Sequence, residues 1–449
     1  KLAPHFWDKI FFQYFYPYQD TKYSLLISPD VKFNYKMTQG TFDPVKTSQD
    51  SDFDMYVWDK QNVPSIKDED HMPELVDIAP VLFISSFPDW TFISNWYADL
   101  TANKTKADFE VKETIAELFK GKENMSQTDK VQEIYHYIVH NIRYSEVSFL
   151  QSGLIPQKAS KVLITKIGDC KDVSTLFVAL CRQIGVDASL VLVKTRDNGR
   201  QDMLLPTIDF NHCIAKVILN NKAYYIELTS DYLPFNSFYD GLIDAYTLDV
   251  KPEKDKGSVS PVYLDPPTRN QNIIKRVTTI TIQGNDIMVA KENFKTAAFA
   301  ADIRSAYRDL GKKEREKEMQ KAVTGEYPNV QLTDLEFTGL DSTSDTLEYK
   351  YAYTGQNAVT QVGGLNLFTL PWADKAGPND FIFNQNRELP MEITGYASID
   401  TDVESITVVL PAGKTLADAP QSIRYSCAVA DYQLTFKTIN GKIVATRSM

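Results

Sequence analysis

The chain has 449 residues, 43% of them hydrophobic, and a formal net charge of −11, enough length for about two or three domains with a sizeable core. The acidic balance excludes nucleic acid as a partner, because phosphate backbones demand clustered Lys and Arg. No apolar run approaches the ~20 residues of a spanning helix, so no membrane span is expected.

The chain starts Lys1-Leu-Ala-Pro, which is no secretory leader. The first residues read as the middle of a β domain, so upstream sequence is expected to be missing. Residues 1–75 form an N-terminal β-rich region, with strands at Tyr23–Ile27, Lys32–Met37 and Asp54–Trp58 between Gly, Pro and Asp clusters. Residues 76–262 form the core, helical as far as about residue 185. Asp89–Leu100 begins after Pro88, and Lys106–Phe119 carries Val111, Ile115 and Leu118. Ser126-Gln-Thr-Asp129 caps a run with Val131, Ile134, Tyr135, Ile138, Val139 and Ile142, the strongest helical periodicity in the chain. Strands follow at Ala188–Thr195, Cys213–Leu219 and Ala223–Leu228. Pro252–Pro261 and Pro266-Pro267 mark a boundary. Residues 263–449 read as a C-terminal β-rich domain, sandwich-like, with a helical insert at Thr296–Leu310 and Lys312–Val323. The basic residues of that insert, Lys312 to Lys321, are interleaved with Glu314, Glu316 and Glu318, the pattern of a solvated helix face. Leu347, Tyr349, Tyr351 and Tyr353 alternate as a strand, and Ile439-Asn440-Gly441 reads as a hairpin turn. Helices followed by strands define an α+β fold.

Chemistry concentrates at Cys170. It lies in Gly168-Asp-Cys-Lys-Asp172, just before a run with apolar residues at Val173, Leu176, Phe177, Leu180 and Ile184, which Gly185 ends. The thiol is thus predicted on the first turn of a helix with one buried face. Unpaired N–H groups and the positive end of the dipole favour thiolate there. Asp169 and Asp172 read as helix-terminal charges. They oppose a thiolate locally, so an imidazolium nearby is required. His212 supplies it. Two β-rich runs flank Asn220-Asn221, which reads as a two-residue hairpin turn. In that register Ile214 faces Glu227, which makes Glu227 the diagonal neighbour of His212. A one-residue slip would turn Glu227 to the opposite face.

These residues resemble a known family. Pro156-Gln-Lys-Ala-Ser-Lys-Val-Leu163, Gly168-Asp-Cys-Lys-Asp172, Asn211-His212, Tyr225-Ile-Glu-Leu-Thr-Ser230 and Asn141-Ile-Arg-Tyr144 are similar to the bacterial transglutaminase-like proteins. The segment Trp58–Trp96 resembles the β-rich region that precedes the core in a Bacteroides-type subgroup. The resemblance is dense over residues 55–240. It implies a papain-like core in which the helix bearing the thiol packs on an antiparallel sheet. It further implies Cys170 as nucleophile, His212 as base and Glu227 as the third catalytic residue, with a peptide or protein substrate and an extracytoplasmic location, periplasm or cell surface. The family motif reads Asp-Pro-Thr where this chain has Glu227-Leu-Thr229.

The other cysteines, Cys181, Cys213 and Cys427, form no CxxC pair and are read as structural, so no metal is expected. His136 and His140 stand four apart on a helix without an apparent third ligand, and no cofactor is implied. The residues therefore point to a cysteine acyl-transfer enzyme with a Cys170–His212–Glu227 triad. The competing reading is an inactive scaffold that binds protein or glycan through its β domains.

Overall fold

The computed structural model describes residues 5–48, 52–146, 153–252, 257–264, 269–373, 387–392, 398–418, 420–428 and 430–449. Lys1-Leu-Ala-Pro, Pro266-Pro267 and part of Pro252–Pro261 lie outside them. The chain divides into two compact units. The first falls within Lys1–Asp231, Phe238–Arg269 and Asn384–Gly395, the second within Tyr232–Ser237, Asn270–Phe383 and Tyr396–Met449.

In the first unit, Asp54–Val63 pairs with Tyr18–Ile27 and Val45–Ser48, and Val81–Ser85 pairs with Trp7–Phe11 and Asn34–Met37. The Val81–Ser85 strand departs from the helical reading of that region. Its five residues are all buried, and so short an unbroken apolar run carries no periodicity to identify it. The helices Trp90–Thr101, Phe109–Leu118 and Gln127–Asn141 follow as expected. Asp89 accepts from the Phe92 amide at 2.7 Å, and Ser126 from the Asp129 amide at 3.1 Å. Each satisfies an amide that the first turn leaves without a partner.

The helix Cys170–Gln183 packs against the helices Phe109–Leu118, Gln127–Asn141 and Ala159–Thr165 and against two strands of a five-stranded sheet. That sheet runs in the order Lys222–Ile226, His212–Leu219, Asp187–Lys194, Tyr246–Asp249, Val262–Tyr263. All its neighbours are antiparallel. The fold is α+β, with a helix-covered antiparallel sheet and flanking β sheets. The thiol helix abuts the strand that begins with His212.

The second unit is built on an eight-stranded sheet: Val330–Thr338, Thr346–Gly355, Asp286–Thr296, Ile273–Gln283, Thr401–Val409, Lys442–Ser448, Asp431–Ile439, Ile423–Ser426. The helical insert forms Ala297–Tyr307 and Lys312–Val323, whose Met319 and Val323 join a core with Ile280, Val289, Tyr353 and Ile406. The predicted Asn440-Gly441 turn joins Ile439 to Lys442.

The hairpin that carries the site has the expected register, from Leu219 opposite Lys222 to Ala215 opposite Ile226. Asn220 and Asn221 both take positive φ, 51° and 62°, as a two-residue turn matched to strand twist requires. A β-branched residue is strained there. Asn221→Val is expected to cost about 1–2 kcal/mol, read as a lower urea midpoint, whereas Asn221→Gly should be neutral or stabilising.

Candidate active site

Gly168-Asp-Cys is the hinge between a short strand and the thiol helix. Asp169 is the N-cap: its carboxylate accepts from the Asp172 amide at 3.2 Å, and Asp172 reaches back to the Asp169 amide at 3.3 Å. The two acids form the reciprocal capping box that leaves Cys170 as the first helical residue. Gly168 is required by space. A Cβ there would lie 2.9 Å from Asp172 Cβ, closer than real contacts allow. Asp172 is held further by Gln157, whose amide N–H and side-chain Nε2 donate to its two oxygens at 2.7 and 2.8 Å. Gln157 was legible only as part of a family-like string, since nothing local marks it as a partner of the cap.

The helix is more deeply buried than one apolar face implies. Every residue from Cys170 to Cys181 is buried, because helices cover the sides that the sheet does not. Two of its polar residues, Lys171 and Ser174, are accommodated by pairing, while the buried Thr175 hydroxyl has no hydrogen-bond partner among the described residues. Lys171 is bonded to Asp169, and Ser174 Oγ donates to the Cys213 carbonyl at 3.1 Å. The second bond ties the thiol helix to the strand of His212, one turn beyond Cys170.

His212 opens its strand opposite Val193. Before it, Asn211 is fixed by the Thr195 amide at 3.0 Å and by donation to Thr195 Oγ1 at 2.6 Å. The His212 ring lies between two predicted partners. Its Nε2 is 2.7 Å from Glu227 Oε2, and the Cys170 thiol is near enough to act on the charge of the same imidazole. A carboxylate only accepts, so Nε2 carries the proton and Nδ1 is the nitrogen left for sulfur. The other carboxylate oxygen, Glu227 Oε1, accepts from the amides of Leu228 and Thr229, both at 2.8 Å. Cys170 is 5% exposed and the His212 side chain 15%.

The electrostatics follow from burial and partners. Burial lowers the His212 pKa, but the Glu227 charge and the bonds to Cys170 and Glu227 outweigh it and raise it to about 10. Burial pushes Glu227 up. The facing imidazolium and the donors at Thr229 pull harder, so its pKa is lowered. Burial raises Asp169 against the opposing pull of Lys171. Tyr144 pairs with Gly168 in a parallel bridge. Its hydroxyl pKa is raised by burial first, then by Cys170 and Glu227.

The remaining candidates lie elsewhere. Cys181 and Cys213 are buried, but Cys427 is exposed, just past the strand Ile423–Ser426. The strand-like run before it is the edge strand, and all four of its residues are exposed. His140 Nδ1 bonds the His136 carbonyl at 2.7 Å, one turn back on its own helix. Among the described residues, no three His, Cys, Asp or Glu side chains converge as metal ligands do.

Residues 112–228 match the family model described as transglutaminase-like superfamily, a shorter span than the 55–240 over which the resemblance was read. This chain therefore carries a transglutaminase-like superfamily domain, and Cys170, His212 and Glu227 all fall within it. A solved structure described as a "putative protease" from Parabacteroides distasonis is 13% identical, with a TM-score of 0.58 over 100% of this chain and 69% of that one. It shares the fold. A "putative cysteine protease" from Cytophaga hutchinsonii is 12% identical, with a TM-score of 0.25 over 58% of this chain and 88% of that one. No curated protein matches the chain.

Two outcomes follow. The folded pKa of His212, about 10, exceeds the unfolded value of about 6.5. Its contribution to stability is therefore complete below about pH 6.5 and is lost as pH rises through about 10. Glu227→Gln should remove this dependence, so its urea midpoint should approach the wild type's as pH rises from 6.5 to 10. A gap that is constant over that range would contradict the assignment. Gly168→Ala should displace Asp172 and lower stability by roughly 1–3 kcal/mol, measured by the same unfolding experiment.

Proposed function

We propose that this protein is a cysteine acyl-transfer enzyme acting on peptide or amide bonds, with hydrolysis favoured over crosslinking. The observation that carries this reading is the His212 ring, held at Nε2 by a buried carboxylate and close enough to Cys170 for the thiol to act on its charge. In this mechanism the thiol proton already resides on His212 as the imidazolium, and the Cys170 thiolate attacks the substrate carbonyl. The tetrahedral oxyanion is met by the Cys170 backbone N–H at the helix start. The imidazolium then gives its proton to the leaving amine, and water releases the acyl group through the same base in reverse. Glu227 fixes the tautomer and stabilises the cation. Hydrolysis is favoured because no feature of the chain selects a lysine donor. An extracytoplasmic location is proposed on the resemblance alone.

Alkylation by iodoacetamide tests this, with Cys427→Ser removing the exposed competitor. Cys170 should react much faster than glutathione near neutral pH. His212→Ala should slow it by at least about tenfold, and casein-type peptide substrates should be cleaved by the wild type and not by Cys170→Ala. Reaction at the glutathione rate would favour the scaffold reading instead.

A further inference from the structure

We propose that Lys171 is a positioning residue for the thiol chemistry, its ammonium cancelling the Asp169 carboxylate so that the acidic helix cap does not oppose an ionised Cys170. The inference rests on the acyl-transfer reading above.

Asp169 and Lys171 flank Cys170 in sequence and are bonded to each other. Both are buried, the Lys171 side chain being 4% exposed and that of Asp169 5%. The cap does not need this pair. One Asp169 oxygen, Oδ1, receives the Asp172 amide while Lys171 takes Oδ2, and a neutral Asn caps as well as Asp. Nor is stability a sufficient reason, because a buried ion pair is often no better than an apolar pair of the same volume. What the pair does alter is the charge around the sulfur.

The charged and titratable groups about Cys170 come from several elements. Asp169, Lys171 and Asp172 lie at its own helix start, His212 and Cys213 on the adjacent strand, and Glu227 after the next strand. Tyr97 comes from the helix Trp90–Thr101 and Tyr144 from the short strand beside Gly168. Burial raises the pKa of both tyrosines and of Cys213, which keeps them neutral near pH 7. Three carboxylates then face two cations. The Glu227 charge is matched by the imidazolium, and Asp172 is held by neutral donors of Gln157. Lys171 matches Asp169. Without it, a thiolate would form beside two unbalanced carboxylates with only the imidazolium in its favour. A neighbouring like charge disfavours an anion, the more so in a buried setting.

The test is the rate of Cys170 alkylation as a function of pH in a Cys427→Ser background, with urea unfolding measured alongside. Lys171→Met should move the acid limb of the profile upward by about one pH unit, which makes the reaction about tenfold slower on that limb. Lys171→Arg should leave it in place. Asp169→Asn should move it downward, and the Asp169→Asn/Lys171→Met double variant should return it close to wild type. This ordering distinguishes charge balance from a structural role, which would lower the urea midpoint without moving the limb. If Lys171→Met does not fold, the separation between Asp169→Asn and the double variant gives the same answer. An unmoved limb in every variant overturns the inference while a fast wild-type reaction leaves the acyl-transfer reading intact. A wild-type thiol no faster than glutathione overturns both.

Discussion

Burial strips an imidazole of water and favours its neutral form. At His212 that penalty is reversed by its neighbours, Glu227 first, 2.7 Å from Nε2, and Cys170 with it. The Glu227 contact fixes which nitrogen carries the proton and so which nitrogen faces sulfur. It also requires that the hairpin register be right to the residue. The register in turn depends on two asparagines in the left-handed region and on a sheet whose strands share one antiparallel pattern. The placement of the thiol beside the imidazole depends on the Ser174 bond to the Cys213 carbonyl and on the helices that press the thiol helix to the sheet.

The thiol helix shows how far local rules extend. Asp169 and Asp172 cap it as their spacing implies, and Gly185, with φ of 76°, follows its end. The charge arrangement at its start is a different matter. Acids that favour helix formation are the wrong sign for an adjacent anion, so a cap and a nucleophile placed together conflict. The bonds of Gln157 to Asp172 and of Lys171 to Asp169 bear on that conflict at each acid separately.

Much of the core was legible because its signals are local. The periodicity of Gln127–Asn141, the Asn220-Asn221 turn and the alternation around His212 each report short-range geometry. The Glu227 contact was legible too, because a two-residue loop determines every cross-strand pair by counting. What stayed hidden depends on other segments. The strand Val81–Ser85 is defined by partners far away in sequence, Trp7–Phe11 and Asn34–Met37. The burial of Lys171, Ser174 and Thr175 comes from three helices converging on one. An apolar stripe cannot announce that its polar side will be covered as well. The exposure of Cys427 has the same origin, since an edge strand and a central one can share a pattern.

The carboxylate at position 227 is a glutamate, one methylene longer than an aspartate. Its chain curls so that one oxygen meets the imidazole while the other caps the two amides immediately following, Leu228 and Thr229. The acid is thereby clamped by its own backbone, and the chain leaving the strand is clamped by the acid. A shorter side chain would have to reach the ring and these amides with a different geometry. The longer residue is therefore a different solution to holding the same ring, in which the loop after the hairpin becomes part of the hold on His212.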